Sequence, residues 1–63
     1  MDSYRVYFLG VDSRFVGVNE IKATDDGEAL MLARRLYQVH QESVSWSSGF
    51  ELWNHRRLVH KEA

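Results

Sequence analysis

No cysteine occurs in this chain of 63 residues, and no proline. The first absence removes disulfides, thiolate metal ligands and a cysteine nucleophile at one stroke. It fits a reducing compartment without requiring one. The second leaves element boundaries to be read from glycine, serine and aspartate. Neither a low-complexity run nor an internal repeat is present. A dominant charge is missing too, because eight Lys and Arg stand against nine Asp and Glu, for a net charge of −1. Such a balance supplies no global field to draw in nucleic acid or a membrane surface. No apolar stretch approaches the roughly 18 residues of a membrane span. Met1-Asp2-Ser3-Tyr4-Arg5 lacks the basic-then-apolar layout of a secretory leader. The resulting expectation is a soluble, cytoplasmic chain with no membrane partner.

What is present suits one small folded unit. Hydrophobic residues make up 44% of the chain and charged ones 27%, the ordinary balance of a globular domain. At this length only about 60% of the unfolded chain's surface is buried on folding. A core of that size supplies roughly 3–5 kcal/mol of net stability, and small domains often gain the rest by association.

Tyr4 to Leu9 is rich in aromatic and β-branched residues and reads as a strand. Gly10-Val11-Asp12-Ser13-Arg14 is turn-forming, and a second strand runs from Phe15 to about Ala23. The short connection predicts an antiparallel hairpin. Gly17, inside the second strand, marks either a bulge or a close approach of another element. Thr24-Asp25-Asp26-Gly27-Glu28 has the spacing of a helix start. Either Thr24 or Asp25 can cap, Glu28 lies three residues on from Asp25, and the carboxylates sit at the positive end of the helix dipole. The alternative use of Asp25, Asp26 and Glu28 as a cation site lacks the spacing of a calcium loop. Ala29, Leu32, Ala33, Leu36, Tyr37 and His40 then recur on one helical face, so the helix runs from about Asp26 to His40 or a little beyond. Arg34 and Arg35 fall on the solvated side, and Met31 is an apolar exception there. The serine-rich stretch Ser43–Gly49 ends the helix and holds Trp46, a core cover or a partner anchor. Phe50 to Trp53 and Arg56 to His60 read as two further strands about an Asn54-His55 turn.

The predicted architecture is therefore α+β, a single ββαββ domain of residues 1–63. It has a four-stranded antiparallel sheet and one helix packed on one face. Alternation points Tyr4, Val6, Phe8, Phe15, Ile21, Phe50, Leu52 and Leu58 toward the helix. The uncovered face then shows Tyr7, Leu9, Val16, Val18, Trp53 and Val59. An apolar patch of that extent ordinarily marks an interaction site.

Chemistry is thinly represented. A triad of His40 with Ser45 or Ser47 and an aspartate has no supporting spacing. A metal site of His40, His55 and His60 needs three separate elements to converge, whereas zinc ligands usually come in close pairs. No phosphate loop, paired-carboxylate motif or nucleophile elbow occurs. The sequence thus predicts no enzyme, no cofactor and no metal. It predicts instead a homodimer formed through the open sheet face or a sheet edge, with Tyr7, Val18 and Trp53 as anchors. The alternative is a nucleic-acid-associated regulatory protein in which Arg5, Arg56, Arg57 and Lys61 surround Tyr7 and Trp53. The charge balance counts against that alternative.

Tyr4-Arg5-Val6-Tyr7-Phe8-Leu9, Ala23-Thr24-Asp25-Asp26-Gly27-Glu28-Ala29-Leu30, Glu51-Leu52-Trp53 and Arg57 together resemble a group of very short bacterial proteins. The group is uncharacterised and occurs in rhizobium-like alphaproteobacteria. The resemblance spans most of the chain and implies a shared fold, with no activity, substrate or catalytic residue attached. Ser43–Gly49 is longer than expected for that group. Asp26-Gly27-Glu28-Ala29-Leu30 is also similar to small antitoxins that pair a hairpin with a helix opening on acidic residues. The second, DNA-binding region of such proteins has no counterpart here.

Overall fold

The computed structural model describes residues 1–43 and 47–62. Its order is β1 (Asp2–Leu9), β2 (Phe15–Ala23), α1 (Asp26–Ser43), β3 (Gly49–Asn54) and β4 (Arg57–Glu62). The strands form one antiparallel sheet in the order β2-β1-β3-β4. Both β2 and β3 run opposite to β1, so they run parallel to each other. Parallel strands with β1 between them cannot be joined by a tight turn, and α1 carries the chain over β1. The ββαββ arrangement predicted from the sequence is the one observed.

Helix α1 starts where the sequence places it. Asp25 Oδ1 accepts from the Glu28 backbone N–H at 2.8 Å, and Glu28 Oε1 accepts from the Thr24 N–H at 2.9 Å. Two backbone donors at the helix start are thereby satisfied reciprocally. Tyr4, Val6, Phe8, Phe50 and Leu52 of the sheet are buried against Ala29 and Ala33 of the helix, with Leu36, Tyr37 and Ile21 around them. The two alanines let the helix axis come close to the sheet. Each fully buried large side chain contributes about 1.5–3 kcal/mol relative to exposure.

Two β-bulges redirect side chains that simple alternation assigns to the wrong face. In β2, Leu9 pairs with Phe15 and Phe8 with Gly17, so Val16 is the extra residue. Phe15 is therefore not a core residue. It stacks on Tyr7 on the open face, with ring centroids 4.9 Å apart. In β4, Leu52 pairs with His60 and Trp53 with Leu58, so Val59 is the extra residue. Val59 packs against the core, and Leu58 takes the exposed position opposite Trp53. One inserted residue shifts everything beyond it to the other side.

Leu9 also departs from expectation, since only 1% of it is exposed. The segment after the helix folds across the end of β1. Ser48 N–H and Ser47 Oγ both donate to the Leu9 carbonyl, and Ser48 Oγ donates to the Gly10 carbonyl. These serines close a long-range junction instead of local turns. Val44, Ser45 and Trp46 lie outside the described residues, and so do the readings placed on Ser45 and Trp46.

Candidate functional site

The open sheet face is built from alternate residues of four strands. Its central rows run Glu20, Arg5, Trp53, Leu58 and Val18, Tyr7, Glu51, Lys61. Phe15, Val18 and Leu58 are each about half exposed, at 57%, 55% and 45%. Tyr7 and Trp53 are partly buried between their neighbours. The face is less uniformly apolar than the sequence suggests. Trp53 Nε1 donates to Glu51 Oε1 at 2.9 Å, and Lys61 Nζ lies 3.7 Å from Glu51 Oε2. Lys61 is thus committed to a carboxylate of its own sheet. The Arg5 guanidinium sits beside the Tyr7 hydroxyl, a contact that pushes its pKa up further.

Two adjoining depressions mark this face. One, of about 230 Å³, is lined by Tyr7, Phe15, Trp53 and His55. The other, of about 420 Å³, is lined by Ser3, Arg5, Glu20, His55 and Arg56. They share His55, which stands in the loop between β3 and β4 with φ of +56°. That loop is His55-Arg56, one residue later than predicted, because Asn54 still pairs with Arg57. Asn54 Nδ2 donates to the Ser3 carbonyl and ties the loop base to β1.

Arg56 and Arg57, adjacent in sequence, go to opposite sides. Arg56 is exposed and lines the larger depression. Arg57 turns under the helix, where it donates to both carboxylate oxygens of Asp26 at 3.0 and 3.1 Å. Tyr4 Oη donates to the same carboxylate at 2.8 Å. Arg57, and then the Tyr4 hydroxyl, hold the Asp26 pKa below the usual carboxylate range. Burial, and then the hydrogen bond to Asp26, push the Tyr4 phenol up to about 12. Asp26 is a structural junction of β1, α1 and β4, not a free cation ligand.

The other candidate groups are dispersed. His40 stacks flat on Phe8 with centroids 4.1 Å apart, and its Nε2 is buried without a partner among the described residues. His60 lies 3.2 Å from Glu62 Oε1, whose carboxylate also takes Arg34 at 3.1 Å. Arg34 is therefore paired, where the sequence reading left it solvated. His60 and then Arg34 lower the Glu62 pKa. His55 is in the hairpin loop, so the three histidines do not converge. Among the described residues no three metal-ligating side chains cluster. No helix there is long and apolar enough to cross a membrane. Ser47 Oγ is buried and bonded to a backbone carbonyl 2.7 Å away.

The sequence places Tyr7, Trp53 and Arg5 on or around this face and Arg56 beside it, while it assigns Phe15 to the helix side and His55 to a turn. The signal for Phe15 was Gly17, which warned of a bulge nearby. No family model, curated protein or solved structure matches the chain.

Proposed function

We propose that this chain is a non-enzymatic interaction module that self-associates through the outer edge of β2. The observation that carries the reading is the character of the two sheet edges. β4 is six residues long, bears Lys61 and is broken in the middle by its bulge. Those are features that blunt an edge. β2 has nine residues, and its bulge lies near its start, so Gly17–Ala23 is regular. Among the described residues no strand lies outside it.

The edge is complementary to a second copy of itself. Antiparallel pairing centred on Ile21 sets Glu20 opposite the partner's Lys22, and by symmetry this happens twice. The same register brings the partly exposed Ile21 against its equivalent on the helix side. Opposite charges across a strand pair add roughly 0.2–1 kcal/mol each, and like charges oppose pairing. Two-fold association of this kind is the commonest way for small chains to assemble. The open face suits a copy of itself less well. Its two depressions would meet hollow to hollow, whereas interface cores are close-packed.

Light scattering over a dilution series tests the proposal. The expected result is a species of twice the 7.4 kDa chain mass. Lys22→Glu should shift it to monomer, and adding Glu20→Lys to that variant should restore the dimer. A monomer at every concentration overturns self-association. A dimer indifferent to Lys22→Glu but lost in Trp53→Ala overturns the edge and returns the interface to the open face.

A further inference from the structure

We infer that the two adjoining depressions on the open sheet face form one binding site for a nucleotide, with the base on Tyr7, Phe15 and Trp53 and the phosphate at Arg5 and Arg56. It goes beyond edge pairing: every lining residue belongs to one copy of the chain, and only Glu20 is shared with the proposed edge contact.

The two hollows differ in chemistry. The smaller is walled by three aromatic rings and His55. Tyr7 and Phe15 are already mutually stacked, and Trp53 is held by its indole bond to Glu51. Rings fixed in this way offer flat apolar surface with little entropy left to lose. That is the requirement for stacking a base. The larger hollow places Arg5 and Arg56 around one opening, with the Ser3 hydroxyl on the same wall. Arginine presents several N–H donors in a planar fork that matches phosphate oxygens. His55 lines both hollows, so base and phosphate sites are contiguous.

The surrounding charges set the size of the ligand. Arg57 is bound to Asp26 beneath the helix, and Lys61 is held by Glu51. Only Arg5 and Arg56 of the four predicted cations face the site. Glu20 sits on the wall of the larger hollow and limits the anionic charge the site accepts. Two cations do not make a track for a long polyanion, but they match one nucleotide or the end of a single strand. A single strand held through two phosphate contacts has a shallow salt dependence, with a slope of log K against log salt of about −1.4.

Titration of the ¹⁵N-labelled full chain with adenosine monophosphate, followed by NMR, tests this. The Trp53 indole and the Arg5, His55 and Arg56 amides should shift together. Adenosine alone and inorganic phosphate alone should each bind at least tenfold more weakly. Arg56→Glu changes an exposed loop residue and Phe15→Ser an exposed edge residue, so both variants should retain the fold by circular dichroism. Each should weaken the nucleotide by at least about fivefold, the lower end for loss of one stacked ring. A labelled tetranucleotide that binds more tightly than the monophosphate supports a single-strand end as the source. Equal or weaker binding supports a free nucleotide. No shift at millimolar nucleotide overturns the inference. So does inorganic phosphate binding as well as the nucleotide, which would leave only an anion patch.

Discussion

At the scale of single residues, the hairpin loop between β3 and β4 carries a local conflict. His55 holds φ of +56°, a left-handed value that glycine or asparagine adopts more readily. An L residue there costs roughly 1–2 kcal/mol in steric terms. Glycine would remove that cost and add about 0.5–1 kcal/mol of lost chain entropy. His55→Gly is therefore expected to stabilise the free protein by about 0.5 kcal/mol, raising Tm by about 2–4 °C. A thermal melt checks it, and an unchanged or lower Tm would show that the left-handed backbone carries no penalty. The sequence points to Asn54-His55 as a two-residue turn, without the glycine that makes such turns strong. The actual loop is set by pairing of Asn54 with Arg57, which no propensity encodes.

At the scale of elements, α1 is held to the sheet by small residues at its line of closest approach. Ala29 and Ala33 are both fully buried under the helix. Ala33→Leu adds three heavy atoms where the sheet leaves none of that space. Overpacking of this kind costs typically 1–3 kcal/mol. Against the roughly 3–5 kcal/mol that a core of this size provides, it removes a large part of the stability. The expected outcome is a clear drop in the urea midpoint with helix content intact at zero denaturant. An unchanged midpoint would show that α1 can slide to make room. The helix itself was fully legible, because the Asp25 cap and the Ala29–Ala33–Leu36 spacing are local signals. The strands were legible for the same reason. Their faces were legible only as far as the bulges at Val16 and Val59, since period-two alternation has no place for an inserted residue. Phe15 and Leu58 reached the open face, and Val59 the core, through those insertions. The opposite fates of Arg56 and Arg57 follow from the second bulge and from Asp26, a partner thirty-one positions away from Arg57. That separation is why the engagement of Arg57 could not be assigned from sequence.

At the scale of the whole molecule, the Tyr4–Asp26–Arg57 junction joins the central strand, the helix start and an edge strand, and it makes folding depend on pH at both extremes. On the acid side, Asp26 and Glu62 titrate below their ordinary values in the folded chain. Their stabilising contribution is complete above the unfolded value near 4 and is lost as pH falls through the lower folded values. On the alkaline side, Tyr4 keeps its proton to about 12 in the fold, against about 10 when unfolded. A raised folded pKa means the contribution is complete below about pH 10 and disappears as pH rises toward 12. Tyr4→Phe should therefore be less stable than the parent chain at neutral pH, and its stability should fall less between pH 10 and 12. The gap between the two, followed by urea melts at pH 7, 10, 11 and 12, should narrow through that window. The phenol faces a carboxylate already engaged by Arg57, so deprotonating it places two negative groups 2.8 Å apart at the one point where three elements meet. A gap constant from pH 7 to 12 would mean that Tyr4 contributes only the packing of its ring, and that Asp26 and Arg57 hold the junction without it.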